Sequence, residues 1–269
     1  MAGYNAYASV FYLVAFAILL PIQLSIGLQR KTHAFLAAVV LGLTFEILAY
    51  IARILVSNGN DQVAVYLVSI TIAPTFISVA MSLCLPRIIH VYGKELSPLP
   101  PRLYETITML AHSVVLGLQI IGGGVTATHN LSSGAKLLQA GSAVHFATLT
   151  IVVGFAGAFF RNMHPRTPLC TDIYSGPQRS TTFRVFLIVL AISTTTIMIR
   201  TCYRAVKPKA GIDAVDEKVF FVLDGAMVLF ACLALTIIHP GVAFRGHRGQ
   251  SGERVEETHA TKVVEDREE

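Results

Sequence analysis

Seven apolar runs of some twenty residues, separated by short polar connections, set the pattern of the chain. They fall near 8–28, 34–56, 63–85, 105–127, 136–159, 182–206 and 218–238. Each is long enough to cross a hydrocarbon core of about 30 Å as a helix. Backbone in lipid can leave no amide unpaired, and the strict alternation of a barrel strand is missing, so the runs predict α-helices. The second run organises the rest. Its apolar residues are interrupted by Glu46, Tyr50 and Arg53, which stand at i, i+4 and i+7 and so share one helical face. An ionised side chain facing acyl chains at mid-bilayer costs about 2.5–3.5 kcal/mol, so this face is expected to turn into an interior supplied by the other helices.

The connections alternate in charge. QRKTH at 29–33 is basic, SNGNDQ at 57–62 has no Lys or Arg, 86–104 carries Arg87, Lys94 and Arg102, 128–135 carries none, and 161–180 carries Arg161, Arg166 and Arg179. By the positive-inside rule this places the N-terminus outside and the C-terminus in the cytosol. Arg200, Arg204, Lys207 and Lys209 dissent, lying at the expected outer end of the sixth span. Asp213, Asp216, Glu217 and Asp224 follow closely, so the arginines are expected to be held by protein carboxylates. Asn130-Leu131-Ser132 forms a glycosylation sequon on the expected outer side. The first run lacks a basic leader and a small-x-small cleavage site and reads as a retained anchor, kinked at Pro21. Pro98, Pro100 and Pro101 rule out a helix continuing through the connection before the fourth span.

Depth along antiparallel helices, counted at about 1.5 Å per residue, puts Glu46 near mid-membrane and Arg53, Arg200, Arg204 and Asp224 in the outer half. Tyr203 stands beside the two arginines, and Glu217, Phe220 and Asp224 share a face of the seventh helix. Together with Tyr50 and with Gln119 of the fourth span, these residues predict a polar cavity that could take an amphipathic head group; the plainer alternative is a set of buried ion pairs locking helices together. The fourth span carries His112, Gln119 and Gly122-Gly123-Gly124, and the fifth carries His145. The histidines come within about two turns of each other in depth, where they could relay a proton or ligate haem, or simply bond between helices. The glycines allow either a close helix approach or a break. His90 and His164 read as solvated loop-edge residues. Pro74 and the run Ser193-Thr194-Thr195-Thr196 read as a kink and a hydroxyl-lined surface.

Composition narrows the class. Hydrophobic residues make up 54% of the 269 and charged residues 14%, with a mean hydropathy of +0.62, the balance of a polytopic membrane protein. The expected fold is therefore an all-α bundle of seven transmembrane helices over 1–244, followed by a disordered, charged cytosolic tail over 245–269. That tail carries −2 and the remainder +7 of the net +5. With no basic run, the excess is loop bias and not a nucleic-acid footprint. Cys84, Cys170, Cys202 and Cys232 form no C-x-x-C pair and read as small apolar packers, so no metal and no cofactor is expected.

Several of these residues together resemble the fungal RTA1-like proteins, also called the lipid-translocating exporter family. The resemblance rests on Glu46-x-x-x-Tyr50-x-x-Arg53, Ala73-Pro74 with Ala80 and Arg87, and Gln119-x-x-Gly122-Gly123-Gly124. It continues through Arg200-x-x-Tyr203-Arg204, Gly211, Glu217, Asp224 and His239-Pro240-Gly241, and so covers about 30–245. It implies a seven-helix protein of the plasma membrane or endomembranes, linked to release of sphingoid long-chain bases, resistance to sterol-like toxins or, in one branch, porphyrin passage. Its implied partners are membrane lipids or amphiphilic small molecules. The chain departs from the family where His112 replaces a frequent Asp, His145 a Gln and Lys207 a Glu. Fewer acidic groups weigh against a cationic substrate and towards an anionic or neutral amphiphile or a pH-sensitive site. No G-x-x-x-x-G-K-[ST] is present, so ATP is not the expected drive. A non-enzymatic exporter with a polar intrahelical cavity is the first expectation; a seven-helix receptor and a haem- or porphyrin-binding membrane protein are the alternatives.

Overall fold

A computed structural model describes residues 6–92, 97, 99–128, 131–163, 180–206 and 217–243. Ten α-helices are described: α1 Ala6–Gln29, α2 His33–Ser57, α3 Val63–Ser82, α4 Cys84–Tyr92, α5 Pro101–Ala127, α6 Leu131–Met163, α7 Thr181–Val206, α8 Glu217–Phe220, α9 Met227–Ile237 and α10 Pro240–Ala243. A π-helical segment, Phe221–Ala226, joins α8 to α9. Together they build seven spans long and apolar enough to cross a bilayer, with α3 and α4 forming the third and α8 to α10 the seventh. The chain is an integral membrane protein. The charged tail, Asn130 of the sequon, His164, Cys170 and the stretch 207–216 lie outside the described residues.

The observed spans match the apolar runs and overrun several of them. The third continues past 85 to Tyr92, because α4 resumes after a turn at Leu83. The fourth starts at Pro101, four residues before the apolar run, since proline at a helix's first position forfeits an N–H that would be unpaired there anyway. Neither internal proline divides its helix: α1 runs through Pro21 and α3 through Pro74. The glycine run does not break α5 either. A Cβ on Gly122 would stand 2.9 Å from the Leu138 nitrogen of α6, and one on Gly123 would collide with Val68 of α3, so these glycines serve close approach.

Packing makes the third span the axis of the bundle. It is buried over 67% of its apolar window, more than any other span, and touches α2, α5, α6 and α7. Around it α5 packs on α6, α6 on α7 and α7 on α9, while α1 closes the ring against α2 and α9. Large apolar side chains such as Phe11, Ile18, Leu110, Val114, Ile188 and Ile192 face outward, as lipid contact requires. The polar residues of the spans do the reverse: Gln23, Glu46, Arg53, His112, Gln119, His145, Arg200 and Asp224 are all buried.

Candidate functional site

The ionisable residues converge at the end of the bundle where α2 stops and α3 begins. Three features of the local chain set them there. Pro74 has no N–H to offer the carbonyl one turn back, that of Ile70, and Arg200 Nη2 of α7 donates to that vacant oxygen. The π-helical segment carries Asp224 towards α7, where its carboxylate takes Arg200 Nη2 at 3.1 Å and Arg204 Nε at 2.9 and 3.1 Å. Tyr12 of α1 donates its hydroxyl to the Phe221 carbonyl at 2.8 Å, tying the widened turn to the first helix.

Arg53 extends the same charged centre. It donates to the Tyr66 hydroxyl at 3.2 Å and to Glu217 Oε1 at 3.3 Å, and its guanidinium lies 4.1 Å from the centroid of Phe220. Phe221 and Tyr66 complete an aromatic cage at 5.1 and 5.6 Å. A desolvated cation over such faces gains about 2 kcal/mol. The regular α-helical face expected for Glu217, Phe220 and Asp224 is therefore not what unites them: Glu217 and Phe220 serve Arg53, and Asp224, inside the π-helical segment, serves the arginines of α7.

Glu46 and Tyr50 lie deeper on α2, fully buried. Tyr50 stacks on Tyr12 at 5.4 Å and on Phe16 at 5.9 Å. Its hydroxyl meets Gly225, where a Cβ would stand 2.8 Å away, so the glycine lets the aromatic wall close on the π-helical segment. Glu46 is within electrostatic reach of Arg200, Asp224 and Arg204. Among the described residues, neither of its oxygens receives a hydrogen bond, and the buried Arg200 Nε and Arg204 Nη2 have no acceptor. Tyr203 is half-buried on α7, with its hydroxyl oxygen sealed from solvent.

Gln119 does not join the charges. It belongs with the histidines in a second polar centre, where Thr75 donates to Gln119 Oε1 at 3.0 Å. Ser78 gives its hydrogen to the Pro74 carbonyl at 2.8 Å, so it accepts from His145 Nε2 at 3.0 Å, which fixes the tautomer with Nδ1 bare and 3.4 Å from Thr75 Oγ1. His112 donates Nδ1 to the Thr108 carbonyl at 2.7 Å, and its ring meets that of His145 edge-on at 5.9 Å. His112 Nε2 and Gln119 Nε2 are left without partners among the described residues. His145 Nε2 thus bonds across helices to α3 and His112 Nδ1 bonds within α5, while His145 Nδ1 faces Thr75 without receiving its hydrogen. His90, by contrast, is an exposed residue of α4.

The two centres are joined along α3. Tyr66 meets Arg53, the Ile70 carbonyl meets Arg200, and Thr75 and Ser78 meet the histidine centre, so one helix carries the polar groups from the charged end towards the middle of the bundle. Tyr12, Tyr66, Phe221, Thr75 and Ser78 were not among the residues expected from sequence. Their types are ordinary in apolar helices; only the spacing of Tyr66, Ile70, Pro74 and Ser78, one turn apart, marks a common face.

A model of the family described as RTA1 like protein matches residues 39–247. The chain belongs to the RTA1-like family. Among curated relatives, the sphingoid long-chain base transporter RSB1 of Saccharomyces cerevisiae is 27% identical over 282 residues, covering 90% of this chain and 73% of the relative. Protein RTM1 of Saccharomyces cerevisiae is 26% identical over 220 residues, covering 77% and 68%. No solved structure matches. The family match spans α2 to α10 and so includes every residue of both polar centres except Tyr12.

Proposed function

We propose that this protein moves amphiphilic lipids or lipid-like toxins through the membrane, the head group following the polar face of α3 while the tail stays among apolar helix surfaces. One observation carries the reading. Buried donors and acceptors, namely Arg200 Nε, Arg204 Nη2, Gln119 Nε2, His112 Nε2 and both oxygens of Glu46, have no partner among the described residues. A buried polar group without a partner costs about 1–3 kcal/mol, more when charged, so a static lock between helices would be expected to satisfy these atoms. A head group bearing hydroxyls together with an amine or an acid would supply what they lack. The relative named as a sphingoid long-chain base transporter agrees with such a substrate class.

The site of the reading comprises Glu46, Tyr50, Arg53, Arg200, Tyr203, Arg204, Glu217 and Asp224, with Gln119, His112 and His145 as the deeper contacts. Its test is resistance of cells to a toxic amphiphile. Glu46→Gln and Arg53→Ala are expected to abolish resistance at unchanged protein level. Loss of the protein itself, or resistance kept by both variants, would instead assign these charges to helix locking.

A further inference from the structure

Two buried carboxyl groups lie within electrostatic reach of one pair of arginines, and among the described residues only Asp224 contacts them. Asp224 contacts both Arg200 and Arg204, and its side chain is 1% exposed. Glu46 is 0% exposed, lies within reach of the same two arginines, and receives no hydrogen bond from any described residue. The other titratable groups around it are Tyr50 from its own helix and Cys232 from α9, with Tyr12 of α1 and Tyr66 of α3 next to Tyr50. None of these neighbours is seen donating to it. An ionised carboxylate with no donor in a dry interior is strongly disfavoured, whereas a neutral carboxyl is tolerated. Among the described residues, two buried donors of the arginines, Arg200 Nε and Arg204 Nη2, have no acceptor.

We propose that Glu46 is a proton-binding site, and that its proton is exchanged for the place Asp224 holds on the Arg200 and Arg204 pair. In the arrangement seen, Asp224 offsets one of the two positive charges, and Glu46 keeps its proton. When Asp224 turns from the arginines to the amine or hydroxyl donors of a passing head group, the O–H bond of Glu46 breaks, the proton passes to water, and the new carboxylate accepts from the arginines; departure of the head group and return of Asp224 reverse each step. The carrier of Asp224 suits such a move, because a π-helical turn that reverts to α-helix shifts the register of the residues within it. The inference rests on the transport reading: passage of a head group is what separates Asp224 from the arginines, so amphiphile movement and proton movement are linked.

The test uses the full-length protein in nanodiscs and in liposomes. Infrared spectra at neutral pH are expected to show the carbonyl stretch of a protonated carboxylic acid that disappears in Glu46→Gln. The same band is expected to vanish in Asp224→Asn, where Glu46 ionises to serve the arginines. A spectrum unchanged by Glu46→Gln, or a Glu46 band that persists in Asp224→Asn, overturns the proposal. Should Asp224→Asn fail to fold, liposomes carrying NBD-labelled sphingosine decide. Wild-type probe movement is expected to change several-fold when a pH gradient is reversed, with Glu46→Gln, expected to move no probe under either gradient, as the blank. Wild-type movement indifferent to pH overturns the proton site and leaves transport standing; no movement by the wild type overturns both.

Discussion

Replacing Asp224 with Asn in a Glu46→Gln background leaves Arg200 and Arg204 buried with no carboxylate between them. The structure sets the scale. At the observed 3.1 Å from Arg200 Nη2 to Asp224 Oδ1, Coulomb attraction at an effective dielectric of about 20 is roughly 5 kcal/mol. The cost of burying the charges offsets most of this in the intact pair, but removing one partner exposes it, typically as about 3–5 kcal/mol of lost stability. Arg200→Met should cost less, because Asp224 still holds Arg204 Nε at 2.9 Å. Combining the two should recover part of the Asp224→Asn loss, since the remaining Arg204 side chain is 21% exposed and has a route to solvent. Denaturant unfolding of the four proteins in nanodiscs closes the cycle, with an expected coupling of about 1–3 kcal/mol. A coupling below about 0.5 kcal/mol would refute the reasoning, because it would mean that the two side chains do not depend on each other for their burial.

Three further outcomes follow from the same geometry. Gly225→Val should destabilise by about 1–3 kcal/mol through overpacking, because even a Cβ there stands 2.7 Å from Tyr12 Cζ; a melting temperature equal to wild type would show that the aromatic wall can yield. Tyr12→Phe should cost about 1 kcal/mol and accelerate amide exchange in the π-helical segment, since it removes the hydroxyl that bonds the Phe221 carbonyl. Glu217→Gln should cost no more than about 1 kcal/mol, its side chain being 33% exposed, whereas Arg53→Ala should cost more by losing Tyr66 and the Phe220 face as well; thermal unfolding that ranked them in the opposite order would contradict the cage.

The seven spans were legible because hydropathy measures the property that bilayers select for. The convergence of Arg53, Arg200, Arg204, Glu217 and Asp224 was legible too, because depth follows from a fixed rise per residue and a charge in lipid must seek company. What depth cannot supply is azimuth. Gln119 lay at a plausible level for the charged centre, yet it faces Thr75 and the histidines. The π-helical segment was likewise invisible, since its residues, FVLDGA, read equally well as α-helix and the widened turn is decided by Tyr12 and Asp224 finding partners on other helices. Nor did Pro74 announce that the carbonyl it vacates would be claimed by an arginine far along the chain. Such pairings live in tertiary packing, which a periodicity does not encode.

The counterion of the sixth span has a consequence for how the protein is made. Asp224 follows Arg204 by 20 residues, so a growing chain presents the arginines of α7 to the insertion machinery before their partner has emerged from the ribosome. Alone, each would oppose entry into lipid by up to about 2.5–3.5 kcal/mol at mid-depth. The sixth and seventh spans are therefore suited to enter as a hairpin, with the last helix rescuing its predecessor, and a nascent chain cut short after Val206 should be the one that stalls at the translocon.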